Sequence, residues 1–176
     1  MISHREKTLS YRRAEWIGTG NAPGLERCIR HALAQLKTVD DRTIHRNGRT
    51  AKVAKTADSP SGGLFLHIAT ETPGEAASVL PKTSPTAIDL DLRTEAPPDD
   101  GEWLDGDAFL YATADHVSLC TTGLHEAAVA TFLIHLFEKA KVPPHYRNFM
   151  LMKVADIGAV ALLQREGVKE IELRAS

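Results

Sequence analysis

The sequence predicts an α+β fold: a single, largely antiparallel (mixed) sheet with two or three helices packed mainly on one face. Three observations lead there. Strand-like stretches follow one another across short turns, as at Asn47 and Gly48 and at Ala114 and Asp115, which is hairpin connectivity. Two helical stripes interrupt them, and the strand before the first carries Arg12, Arg13 and Glu15 instead of the continuous apolar run that marks a buried parallel strand. The element order reads β-α-β-β-β-(β)-β-β-α-β-α-β, where mixed hairpins and helices favour α+β over a doubly wound sheet.

The segment from Leu9 to Ile17 is rich in β-formers, with Leu9, Tyr11 and Arg13 on one side and Ser10, Arg12 and Ala14 on the other. After GTGNAPG, residues Leu25, Cys28, Ile29, Ala32, Leu33 and Leu36 recur at the spacing of one apolar helix face, predicting a helix from Leu25 to Lys37. Thr43 to Lys55 reads as two strands about a type I′ turn, because both central residues of that turn need positive φ. Gly63 to Thr70 is a short apolar strand expected near the middle of the sheet. Residues 71–107 are acidic and broken by Pro73, Pro81, Pro85, Pro97 and Pro98, so they read as a loop region in which only Ala87 to Leu92 alternates like an edge strand.

The stretch from Asp107 to Ala140 is the expected centre of the core. Phe109, Tyr111 and Thr113 alternate with Leu110 and Ala112, and Val117 and Leu119 with Ser118 and Cys120. Apolar character on both sides predicts a mostly buried hairpin. Thr122 and Gly123 are the expected cap of a helix running to Ala140, so apolar that it needs cover on more than one side. Pro143 and Pro144 stop it. Phe149 to Val154 is then a strand, Ala155 to Glu166 a helix ended by Gly167, and Val168 to Arg174 a last strand. That strand reaches almost to the final residue, which favours a single domain, 1–176, forming the N-terminal part of a longer protein.

Composition narrows the function classes. A chain of 176 residues can bury one substantial core. It has no apolar run long enough to span a membrane and no apolar centre of a signal peptide near its start. Cys28 and Cys120 both fall in core-forming elements and are expected to stay reduced, in a cytoplasmic protein. Charge is unevenly spread: residues 1–56 carry 12 Lys and Arg against 5 Asp and Glu, and residues 57–110 carry 2 against 11. Arg12, Arg13, Arg42, Arg46, Arg49, Lys52 and Lys55, with Tyr11 and Trp16 close in sequence, form the candidate nucleic-acid-binding set, since a hairpin face bearing Arg and Lys suits phosphate contact. The competing expectation is that the basic and acidic segments pack together and neutralise.

Other chemistry is less well supported. Gly18 to Gly24 has the spacing G-x-G-x-x-x-G, one residue longer than a dinucleotide fingerprint, and Pro23 removes a donor. Cys120 lies near a helix start with His116 and His125 as candidate bases. Eight dispersed histidines form no zinc pattern, and no metal or cofactor is expected. The pairs Asp89 with Asp91 and Asp105 with Asp107 would each share one face of a strand and could hold Mg²⁺ in a nuclease or phosphotransferase.

The order GGLFLHIATETPGEAASVLP, an acidic break, then DGDAFLYATADHVSLCTTGLHEAAVATFLIHLFEKA resembles the N-terminal regions of bacterial phage-exclusion (abortive-infection) proteins. The resemblance is one of element order over residues 43–174 and brings no functional residue with it. It implies a phage-defence or DNA-associated role, with effector function elsewhere in the chain or in a partner. The reading reached is a non-catalytic cytoplasmic binding domain whose partner is DNA, RNA or a protein. The alternatives are a metal-dependent or cysteine enzyme, and a dimerisation module built on the apolar helix from Leu124 to Ala140.

Overall fold

The computed structural model describes residues 9–18, 22–60, 62–79 and 92–154. Nine strands lie among them: β1 (Ser10–Trp16), β2 (Thr43–Arg46), β3 (Arg49–Asp58), β4 (Leu64–Glu71), β5 (Ala77–Val79), β6 (Arg93–Glu95), β7 (Leu104–Thr113), β8 (His116–Thr122) and β9 (Phe149–Lys153). The helices are α1 (Leu25–Gln35) and α2 (Glu126–Lys139), and a 3₁₀ turn covers Pro144–Tyr146. Seven strands form one sheet in the order β2-β3-β4-β7-β8-β1-β9, and β5 and β6 pair by themselves. Every pairing among the described strands is antiparallel. The predicted helix 155–166, the strand 168–174 and nearly all of the predicted edge strand 87–92 lie outside the described residues.

The core is a single cluster between the sheet and the two helices. Leu64, Leu66 and Ile68 of β4, Ala108, Leu110 and Ala112 of β7, and Val117 and Leu119 of β8 face it. Leu25, Ile29 and Ala32 of α1 and Val129, Leu133, Leu136 and Phe137 of α2 close it from above. The large apolar side chains of α2 are thereby buried or half-buried, and its exposed positions hold only Ala127, Ala128, Thr131, Glu138 and Lys139. A dimer seam along α2 would have little apolar surface to bury.

The hairpin β7–β8 departs from expectation. Its inward face is buried, but Phe109 on the other face keeps 46% of its surface exposed. The apolar residues on its two faces therefore have two fates, one core and one surface. The cap of α2 also differs: His125, not Thr122 or Gly123, accepts the Ala127 N–H at its Nδ1. At the β2–β3 turn Asn47 and Gly48 both have positive φ, as a type I′ turn requires.

The turn between β7 and β8 is bolted onto the start of α1. Gly24 offers no side-chain cap, so the carboxylate of Asp115 accepts the Leu25 N–H at 2.9 Å and also the Trp16 indole N–H at 2.9 Å. Glu26 returns the contact by accepting the Ala114 N–H at 3.0 Å. Removing a charged acceptor that serves a helix N-terminus costs about 2 kcal/mol. Asp115→Ala is therefore expected to lose about that much in urea unfolding, and Asp115→Asn, which keeps an acceptor oxygen, distinctly less.

Candidate nucleic-acid interface

The seven basic residues separate in the fold. Arg12 points to the helix side and pairs with Glu126 at 2.8 Å. Arg42 folds back on the end of α1, donating to the carbonyls of Leu36 at 2.6 Å and Lys37 at 3.2 Å. Lys52 pairs with Glu71 at 2.7 Å. Arg46 donates to Nε2 of His135, whose Nδ1 meets the Glu138 carboxylate. Arg13, Arg49 and Lys55 have no side-chain partner among the described residues. The expected cationic face is thus mostly consumed by the protein's own acceptors, as the neutralisation alternative foresaw for part of it.

Two of the remaining cations share a surface that the sequence did not single out. On the sheet face opposite the helices, the outward residues of β1, β4, β7 and β8 are exposed or half-buried. Register places Phe65, Tyr111, Ser118 and Tyr11 in one row across β4, β7, β8 and β1. The row on one side of it runs Lys55, His67, Phe109, Cys120, and the row on its other side runs Thr113, His116, Arg13, Met152. Tyr11 is 47% exposed and Phe65 48%. Six rings therefore sit on one face, in three pairs.

Each pair is held by a defined contact. Tyr11 and His116 stack with planes 1° apart, and the Tyr11 hydroxyl hydrogen-bonds Nδ1 of the imidazole. His67 and Phe109 stack at 4.4 Å between centroids, with His67 Nε2 against Asp107 at 3.2 Å. Phe65 and Tyr111 tilt together at 4.6 Å, and the Tyr111 hydroxyl donates to the Gly62 carbonyl. Gly63 permits this, because a Cβ there would fall 2.6 Å from the Tyr111 hydroxyl oxygen. Rings on adjacent strands, braced in this way, keep their faces oriented without a ligand.

The enzymatic arrangements fare differently. Asp105 and Asp107 do not share a face. The register shift between Thr70 and Glu71 leaves Asp105 unpaired against β4; it lines the helix side and accepts from Thr72, whereas Asp107 faces His67 on the other side. A β-bulge re-aims a side chain in this way, and it undoes the expected i, i+2 pair. Asp89 and Asp91 lie outside the described residues. Among the described residues no group of three His, Cys, Asp or Glu is placed to hold a metal ion.

Cys120 lacks its expected base. His116 sits four residues away along the same strand, about 13 Å at strand rise, and is committed to Tyr11. His125 is committed to the α2 cap. Cys28 is buried, and burial with the nearby Asp115 charge pushes its thiol up to about 11, which suits a core residue. The start of α1 is no phosphate site either, since the Asp115 carboxylate already occupies the Leu25 N–H. Thr19, Gly20 and Asn21 of the glycine-rich stretch lie outside the described residues.

Two carboxylates on the helix side carry a pH dependence. Glu26 lies below its ordinary value of 4.5 because it accepts the Ala114 N–H and, next, a bond from Arg30. Glu126 is lowered by Ser10 first and then by Arg12. Both are more acidic folded than unfolded, so their stabilisation is full above about pH 4.5 and is lost as pH falls through the lowered values. Acid unfolding should therefore shift to higher pH in Glu26→Gln, as circular dichroism along a pH titration would show.

Comparison of the chain with family models, with curated proteins and with solved structures finds no match. No described helix is long and apolar enough to cross a membrane. What the fold and the surface define is a class: an α+β domain with one face of its main sheet under helices and the other bearing braced aromatic rings.

Proposed function

We propose that this protein is a non-catalytic binding domain for single-stranded nucleic acid, with the ring-bearing face of the sheet as its platform. The observation that carries the reading is the row Phe65, Tyr111, Ser118, Tyr11 flanked by Lys55 and Arg13. Unpaired bases stack on exposed rings whatever their identity, and a few cations track the backbone between them. A duplex offers no free base faces to such a surface. The resemblance to phage-exclusion proteins supports the same direction, since that class is thought to sense phage or DNA.

The reading moves the interface away from the β2–β3 hairpin, and salt separates the two positions. Single-strand binding falls with salt at a log–log slope of roughly −0.7 per neutralised phosphate. Two cations, Arg13 and Lys55, give a slope of about −1.4, whereas all seven basic residues acting together would give about −5 on the same rule. Fluorescence anisotropy with labelled oligouridylate, oligodeoxythymidylate and a hairpin duplex, across a salt series, measures this. Micromolar binding of either single strand with the shallow slope is the expected result, and the two single strands report whether RNA or DNA is preferred. No saturable binding, equal binding to the duplex, or self-association in sedimentation that protects Tyr11 and Phe65 would overturn it.

A further inference from the structure

A chamber of about 230 Å³ opens on the other side of the sheet, between α2 and the β2–β3–β4 corner. Its walls are Ile44, Ala51, Ile68, Leu124, Ala128 and Phe132. The volume is far above the ~10–15 Å³ that admits one water, and the walls give water few partners. The hydroxyls on the lining are already used, Thr70 donating to the Gly106 carbonyl and Thr131 to the Ala127 carbonyl. An apolar chamber with few convergent polar groups is the form of a small-molecule site.

The polar groups that do converge are cationic. Arg46 and Arg49 both line the chamber and are directly opposite each other across the β2–β3 ladder. Like charges in that position repel, and among the described residues no carboxylate forms an ion pair with either guanidinium. Asp105, also on the wall, accepts the Thr72 hydroxyl at Oδ2 and forms an ion pair with neither. The Glu138 carboxylate, hydrogen-bonded to Nδ1 of His135, feels the Arg46 charge through space without forming an ion pair with it. Arg49, beside Arg46, therefore stands without a side-chain partner among the described residues at the edge of an apolar chamber.

We propose that this chamber is a binding site for an amphipathic monoanion, a medium-length apolar chain ending in a carboxylate. The chain fills the space against Phe132 and Ile68, and the head lies between Arg46 and Arg49, where it relieves their repulsion and gains charge-assisted hydrogen bonds. The site is on the face opposite the ring platform and shares no residue with it, so either proposal can fail without the other.

Calorimetric titration of the full chain with octanoate, and with octanol as its neutral counterpart, tests this. The expected result is saturable one-to-one binding of octanoate, at least tenfold weaker binding of octanol, and about a tenfold loss for octanoate in Arg49→Gln. Arg49 is exposed, and Ala128 is an exposed helix position on the chamber wall; Ala128→Phe should fill the chamber and abolish binding while the circular dichroism spectrum and melting temperature hold. The proposal is overturned if octanoate shows no saturable binding, if octanol binds equally well, or if folded Ala128→Phe binds as the parent does.

Discussion

Alanine at Tyr11 and at Phe65 is expected to weaken single-strand binding by about tenfold each and about a hundredfold together. A base stacked on an aromatic side chain contributes ~1–3 kcal/mol by alanine substitution, and tenfold corresponds to about 1.4 kcal/mol. The two rings stand in one row, three strands apart. That is roughly 14 Å at the usual strand spacing. At that distance, with no shared partner, effects add, because each ring meets a different base. Both side chains are about half exposed, so each substitution should lose little more than its ring contact, about 1 kcal/mol, and leave the fold intact. Anisotropy titration of the two single variants and the double variant reads the outcome. Single losses below twofold, with the fold retained, would remove the rings from the interface and with them the basis of the proposed function.

How far this surface was legible in the sequence depends on which link of the argument is asked. Local geometry was legible where one residue type satisfies one backbone demand. Asn47 and Gly48 announce a type I′ turn because both must have positive φ, and the stripe from Leu25 to Leu36 announces α1 because only one helix face can reach the core. The pair β5–β6 was not legible: its strands are three residues each, and all of Arg93–Glu95 is exposed, so no burial period is imprinted. The proline-rich context reads as loop, and among its described residues 72–76 and 96–103 belong to no helix or strand.

The candidate site was hidden by partners distant in sequence. Arg12 meets Glu126 across 114 positions and Lys52 meets Glu71 across 19, so their neutralisation is a property of the sheet order and not of any local pattern. The ring platform did leave a signal. The core positions of β4, β7 and β8 hold Leu, Ile, Val and Ala, while the outward positions include Phe65, His67, Phe109, Tyr111 and His116. Apolar content on both faces predicts burial of both, but the chemistry differs by face. Aliphatic side chains fill a core without polar demands, whereas rings with a hydroxyl or an imidazole tolerate water on one side. Separating ring-bearing from aliphatic positions, and not polar from apolar, would have pointed to the open face.

The same register that builds the platform makes Gly123 hard to replace. It follows β8 with φ at +65°, and a Cβ there would lie 2.5 Å from the backbone oxygen of Asp105 and 3.3 Å from Cα of Gly106. Backbone cannot swing aside as a side chain can, and Asp105 is the bulged residue that shapes β7. The left-handed conformation alone costs a non-glycine residue about 1–2 kcal/mol; the clash adds to that. Gly123→Ala is expected to lose about 3 kcal/mol or more, a fall of roughly 6–12 °C in melting temperature for a chain of this size. Gly74→Ala is the matched control, with φ at +70° and nothing within 4 Å of the added Cβ, and it should lose only the conformational part. Since Gly123 also lines the chamber on the helix side, Gly123→Ala should weaken octanoate binding while Gly74→Ala does not. Equal destabilisation by the two substitutions would mean that the approach of Gly123 to the Asp105 bulge is not what holds this corner of the sheet.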